Sequence, residues 1–186
     1  MTPPPRLFLI GYRGTGKSTV GPMLAAALGW QFLDADEHVE RLARKTIAEI
    51  FAEEGEAGFR DLESAALAEL CQGDGRVIAT GGGVVLREFN RELLSTAGYV
   101  AWLTAPPDTV WQRMRSDPTT AARRPNLTTG GLDEVANLMA ARESLYRRTA
   151  HGTFPTDGRS PEAVADAILA AWEATGGPSS SPSSSG

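Results

Sequence analysis

The feature that most restricts what this chain can fold into is the loop in LIGYRGTGKST (Leu9–Thr19). It is set between a short apolar run, RLFLI (Arg6–Ile10), and a segment from Val20 to Leu28 whose apolar residues recur at helical spacing. A run of that length and character suits a parallel strand buried on both faces. The loop therefore joins a strand to a helix. In that setting G-x-x-x-x-G-K-[ST], here Gly11, Gly16, Lys17 and Ser18, reads as a phosphate-binding loop. Glycines let successive backbone N–H groups curl around an anion, the helix N-terminus adds partial positive charge, and the lysine adds a full one. Ser18 follows in the position of a Mg²⁺ ligand. An ordinary glycine-rich turn requires neither the lysine nor the hydroxyl.

Strand and helix signals alternate along the rest of the chain. Gln31–Leu33 reads as a second strand closing on Asp34-Ala35-Asp36. Short helices follow over Glu37–Ala43 and Ile47–Phe51, then a turn at Gly55 and a helix over Phe59–Leu70. RVIAT (Arg76–Thr80) is a third strand running into Gly81-Gly82-Gly83, and YVAWL (Tyr99–Leu103) a fourth, entered after a helical Arg87–Leu94. Val110–Met114 is helical, Arg115–Gly131 loses periodicity, and Leu132–Ala150 is a long helix. Gly152–Phe154 is a last brief strand, and Pro161–Ala174 a closing helix with proline in its first turn. This alternation predicts a three-layer α/β fold with a parallel sheet. In such sheets ligands bind beyond the carboxyl ends of the strands, where the phosphate loop, Asp34, Asp36 and the triple glycine all fall. We expect one domain over residues 1–175 and a disordered Ser/Pro/Gly tail over 176–186, GGPSSSPSSSG.

A formal charge of −5 speaks against a broad electrostatic footprint for nucleic acid or anionic membrane. Positive charge for a phosphate site must be gathered locally. Only two lysines occur, Lys17 and Lys45, so arginine, which grips carboxylates and phosphates in bidentate fashion, carries nearly all the basic character. The single cysteine, Cys71, has no intrachain disulfide partner, and the first residues hold too brief an apolar run for a signal peptide or a span, so a cytoplasmic location is expected. His38, His151 and Cys71 share no ligand spacing, and Trp102 and Trp172 read as core.

Four further groups carry chemistry. Asp34 and Asp36, two apart at a strand end, face the same way if the chain is still extended there. One could then help to hold hydrated Mg²⁺ while the other takes a hydrogen bond or proton from a substrate hydroxyl, although Asp is also a favoured helix N-cap. In GFRDLE, Arg60 and Glu63 stand one helical turn apart; the acid can orient the arginine, and on spacing alone a surface ion pair is the simpler account. ATGGG (Ala79–Gly83) leaves a buried strand through three glycines, one more than a tight turn explains, so the backbone is expected to meet something closely. Arg113, Arg115, Arg123 and Arg124 flank the aperiodic stretch, which has the character of an arginine-bearing lid, yet for each arginine but Arg124 surface charge is the preferred reading. Arg142, in ARESLY, could be only an exposed partner for Glu143.

In order, GYRGTGKST, DAD, GFRDLE, ATGGG, ARRP and RESLY closely resemble the shikimate kinases, over a stretch from Leu7 to about Trp172. The phosphate loop alone is shared with many nucleotide-binding proteins; the combination with DAD, GFR and the triple glycine is far more specific. The resemblance implies a P-loop kinase fold like that of nucleoside monophosphate kinases, with a five-stranded parallel sheet in the order 2-3-1-4-5. It implies transfer of the ATP γ-phosphoryl group to the 3-hydroxyl of shikimate, on the way to chorismate and aromatic amino acids, by a monomer using one Mg²⁺. By motif position, Gly14, Thr15, Gly16, Lys17, Ser18 and Thr19 wrap the ATP phosphates, with Lys17 on the transferred group and Ser18 on Mg²⁺, Asp34 assisting through water. Asp36 matches the acid on the shikimate hydroxyls, Arg60 and Arg142 the pair that clamps the carboxylate, and Gly82 a contact to the ring's hydroxyl side. The substrate-binding region spans about residues 34–62 and the lid about 115–131; Arg124 matches the lid arginine and Arg159, in TDGRSP, a residue beside the adenine. Asn126 departs from the two apolar residues that often follow the lid Arg-Pro. A kinase for gluconate on the same scaffold is the nearest rival. A guanine-specific switch is disfavoured because neither lysine lies in an Asn/Thr-Lys-x-Asp sequence.

Overall fold

Apolar residues at alternate positions of the strands decide the layering. In β1 (Arg6–Ile10), Leu7 and Leu9 face one side and Phe8 and Ile10 the other, and all four are fully buried. A strand apolar on both faces needs cover on both, and a computed structural model, describing residues 5–118 and 130–177, places helices on each side. β2 (Gln31–Asp34), β3 (Arg76–Ala79), β4 (Tyr99–Thr104) and β5 (Gly152–Pro155) complete a five-stranded parallel sheet in the order β2-β3-β1-β4-β5, as expected.

On one face, α1 (Lys17–Leu28) and the last helix, α7 (Pro161–Glu173), cover Leu7, Leu9, Val77 and Leu103. Gly21 lets α1 come down onto the sheet, since a Cβ there would stand 2.2 Å from the Phe32 ring. Trp172 of α7 is fully buried and meets Trp30 edge to face, centroids 5.1 Å apart. On the other face, α3 (Ile47–Leu70), α4 (Glu88–Ala97) and α6 (Gly131–Thr149) cover Phe8, Ile10, Ile78, Val100 and Trp102. α2 (Ala35–Ala43) packs on α3 through Val39, Ile47, Ile50 and Phe59, and α5 (Pro107–Ser116) leans on α6 through Val110, Met114 and Val135.

One local difference from the sequence expectations has a physical cause. The chain stops being extended at Asp34, whose carboxylate Oδ1 accepts from the N–H groups of Asp36 (2.8 Å) and Glu37 (3.3 Å) and so caps α2. Asp36 therefore lies in the first helical turn, and the pair does not share one face of a strand. The turn expected at Gly55 is present: with φ 69° and ψ −172° it leaves the helical path, and two helices meet there across a kink within Ile47–Leu70. A capping box at Thr46 and Glu49 starts that element.

Two outcomes follow from this packing. Trp172→Ala removes the largest fully buried side chain and lowers stability by about 3–5 kcal/mol, read as a shift of the urea midpoint at constant slope. Cys71 is buried, and burial pushes its thiol up to about 11, against the opposing pull of Arg6 and Arg76. At pH 8 the thiol of the native protein reacts with an aromatic disulfide reagent at least roughly a hundredfold more slowly than in concentrated urea.

Candidate active site

The carboxyl ends of β1, β2 and β3 open into one cavity of about 440 Å³. It is walled by the phosphate loop, by Asp34 and Asp36, by Ala79–Gly82, and by side chains from α3, α5 and α6. The sheet order produces this convergence, because β1 lies directly beside β3 and β3 beside β2.

The loop has the conformation that its glycines permit. Gly11, Gly14 and Gly16 have φ of 143°, 77° and 104°. A Cβ on Gly11 would stand 2.4 Å from the Leu103 carbonyl oxygen at the end of β4, so no other residue fits there. Thr15 is buried and its hydroxyl donates to the Tyr12 carbonyl at 2.8 Å, bracing the turn from inside. Lys17 Nζ donates to the carbonyls of Gly11 (2.8 Å) and Tyr12 (2.9 Å), which holds its charge over the loop. No side chain caps the first turn of α1, and Ser18 and Thr19 are exposed at the cavity wall. An uncapped helix N-terminus beneath a lysine is an anion site.

Opposite the loop is Arg60. It is only 8% exposed, so the surface ion pair expected from spacing alone is not what forms. Its Nη1 donates to Glu63 Oε2 at 3.1 Å, and Glu63 is itself 3% exposed. Its Nη2 donates to the exposed Glu56 at 3.2 Å, and its Nε has no hydrogen-bond partner among the described residues. The third glycine explains itself here: a Cβ on Gly83 would stand 2.3 Å from Arg60 Nη1 and 2.5 Å from Cζ. The glycine turn is the shelf on which the guanidinium lies.

Arg142 reaches the same cavity from α6 and lies over the Tyr12 ring, its Cζ 5.8 Å from the centroid. It is not the exposed partner of Glu143, which pairs instead with Arg147 at 2.6 Å. Gly82 lines the cavity beside it: Arg142 Nη1 is 3.7 Å from where a Gly82 Cβ would be. Phe51, stacked on Phe59 at 4.7 Å, and Leu138 supply apolar wall. The cavity thus brings a loop, a helix N-terminus and a lysine together with two arginines and Asp36.

Of the residues expected in the site, Gly14, Gly16, Lys17, Ser18, Thr19, Asp34, Asp36, Arg60, Gly82 and Arg142 all line this cavity. Arg159 does not; it is exposed in the turn between β5 and α7. Arg124 and most of the expected lid, with Arg123 and Asn126, lie outside the described residues. Arg113, read from sequence as surface charge, is a lining residue. It donates to the Gly14 carbonyl (3.2 Å), the Thr156 hydroxyl (3.0 Å) and the Thr156 carbonyl (3.3 Å), tying the loop to the end of β5. Its position one residue before the buried Met114 was the available signal, since it puts the arginine on a packed helix and not in the aperiodic stretch.

Among the described residues no group of three or more His, Cys, Asp or Glu side chains forms a metal cluster. The oxygen donors present, the Ser18 hydroxyl and the Asp34 and Asp36 carboxylates, are the type that Mg²⁺ takes when phosphates and water complete its shell. No helix among the described residues is long and apolar enough to cross a membrane.

Comparison with known proteins agrees with the geometry. A family model described as shikimate kinase matches residues 13–173. "Shikimate kinase" of Rhodopirellula baltica is 46% identical over 169 residues, covering 90% of each chain, and that of Symbiobacterium thermophilum is 44% identical over 164 residues, covering 88% of this chain and 93% of the other. Among solved structures, shikimate kinase from Acinetobacter baumannii in complex with shikimate superposes with a TM-score of 0.85 at 38% identity, over 92% of this chain and 94% of that one. A gluconokinase from Sinorhizobium meliloti superposes at 0.59 with 16% identity over 94% and 95% of the two chains, a likeness of fold alone. A phosphate loop facing a pair of arginines, in a chain matched by that model over this length, leads to one conclusion: the protein belongs to the shikimate kinase family.

Proposed function

We propose that the protein transfers the γ-phosphoryl group of ATP to the 3-hydroxyl of shikimate, giving shikimate 3-phosphate in the route to chorismate and aromatic amino acids. The observation that carries this reading is the buried Arg60, which rests against Gly83 and lines the cavity that also holds the phosphate loop. A guanidinium placed there matches an acceptor that bears a carboxylate as well as a hydroxyl. The gluconokinase-type alternative shares the scaffold but not the identity.

Phosphoryl transfer needs positioning and charge neutralisation more than covalent chemistry. The loop from Gly14 to Thr19 cradles the phosphates of ATP, and Lys17 neutralises the group in transit. Ser18 and Asp34, the latter through water, are the residues that would hold Mg²⁺, which when bound supplies positive charge to the phosphate oxygens. Asp36, at the start of α2, accepts the hydrogen bond of the shikimate hydroxyl and orients it for in-line attack. Arg60 and Arg142 grip the carboxylate. The contact from Arg60 to Glu56 is the exposed, weak member of its pair of ion pairs, so a ligand carboxylate takes its place, while Glu63 keeps the guanidinium in position. Gly82 lies against the ring's hydroxyl side. On the same reading residues 34–62 form the acceptor region, residues 115–131 the lid with Arg124 reaching ATP, and Arg159 stands beside the adenine. The enzyme works as a cytoplasmic monomer.

Coupled ADP release with ATP and Mg²⁺, comparing shikimate, gluconate and no acceptor, tests the assignment. Release is expected with shikimate alone; equal or faster release with gluconate overturns it. Four substitutions then divide the labour. Lys17→Ala lowers kcat by about a thousandfold with a smaller change in KM. Arg60→Ala raises KM for shikimate by roughly thirtyfold or more and leaves KM for ATP alone. Gly83→Ala follows Arg60→Ala in direction, since the new methyl occupies the space of the guanidinium. Asp36→Asn keeps the fold, checked by its urea midpoint, and loses about two orders of magnitude or more in kcat.

A further inference from the structure

Tyr146 of α6 is 2% exposed, stacked on Trp102 with centroids 5.6 Å apart and planes 21° apart. Packing alone accounts for the ring, and phenylalanine would fill the same space without bringing a hydroxyl that must be satisfied in the interior. The hydroxyl is therefore the part that needs a reason. It donates to the carbonyl of Gly82, on the cavity wall, and Arg142, one helical turn back on α6, brings its Nη1 to 3.7 Å from where a Gly82 Cβ would stand. Burial raises the phenol to about 12, more than Arg142 lowers it, and the proton that the Gly82 contact requires stays in place.

The rest of the glycine turn is pinned from α4. Asn90 Nδ2 donates to the Val84 carbonyl at 3.0 Å, and Arg91 Nη1 to those of Val85 and Leu86 at 2.7 and 3.0 Å. Those contacts hold the part of the turn that leads away from the cavity. Gly82, the residue at the wall, is held from α6 instead, the helix that also carries Arg142.

We propose that Tyr146 is a positioning residue for the acceptor: its hydroxyl, bonded to the Gly82 carbonyl, fixes the glycine turn against α6, the helix that carries Arg142 beside that glycine. The proposal rests on the shikimate reading of the cavity. It assigns Tyr146 no contact with substrate, and its effect is confined to acceptor binding.

Steady-state kinetics on the full chain with shikimate and ATP varied in turn tests it, using wild type, Tyr146→Phe and Thr149→Val. Thr149 is a buried hydroxyl on the same helix, bonded only to its own Leu145 carbonyl at 2.7 Å, and controls for loss of a hydroxyl as such. Tyr146→Phe is expected to raise KM for shikimate roughly tenfold while kcat and KM for ATP stay within about twofold, and Thr149→Val to leave all three within about twofold. Calorimetric titration of shikimate into Tyr146→Phe, well below its melting temperature, gives the same loss of affinity whether or not stability has changed. A shikimate KM within twofold of wild type in Tyr146→Phe overturns the proposal, as does an equal rise in Thr149→Val. Wild-type protein that is silent with shikimate overturns the functional reading itself, and the proposal with it; that result is separate, because it appears before any variant is made.

Discussion

A guanidinium kept almost wholly out of water must be neutralised where it lies, and the acceptor side of this molecule is organised around that requirement for Arg60. Leaving such a charge unpaired would cost several kcal/mol. Glu63, equally buried and one turn along α3, meets it at 3.1 Å. Glycine at position 83 makes room for it, because a Cβ there would have to displace the guanidinium. The kink at Gly55 sets the segment that bears Glu56 and Arg60 apart from the Thr46-capped turn, where Phe51 lines the same cavity and stacks on Phe59. The pair is weak evidence of stability, since an apolar substitute of similar volume would serve the core as well. Its value lies in placing a guanidinium on the cavity wall.

The other half of the site follows from sheet order. With β1 between β3 and β4, the phosphate loop leaves the sheet beside the glycine turn and against the end of β4, where Gly11 meets Leu103. Arg113 adds a tie from α5 through Gly14 to Thr156. The loop is thus held from several sides by hydrogen bonds and close contacts, and an electrostatic site held in this way does not need to reorganise as charge moves. The phosphate loop and the two arginines line one cavity because three strand ends open on the same edge.

Much of this was legible before any coordinates. The strand β1, the phosphate loop and the order of elements follow from an apolar run, glycine positions and helical spacing, all of them local signals. The role of Gly82 and the pairing of Arg60 with Arg142 came from resemblance to a family and not from spacing. What local signals could not convey was burial: Arg60 and Glu63 look like a surface pair in sequence, since the neighbour that covers them, Gly83, is twenty or more residues away. Asp34 shows the converse, a residue whose capping of α2 depends on where the strand stops, which two plausible readings of DAD left open. Arg113 and Tyr146 were passed over because their partners, Gly14, Thr156 and Gly82, lie on other elements.

The central claim is that a carboxylate-bearing acceptor is held by the arginines opposite the phosphate loop. Calorimetric titration of the nucleotide-bound protein with shikimate and with its methyl ester tests this most directly, since the ester keeps the ring and hydroxyls and loses only the charge. The account predicts binding of shikimate and an affinity for the ester at least roughly tenfold weaker. Equal affinity for the two would contradict it, for the buried guanidinium would then have no part in choosing the substrate.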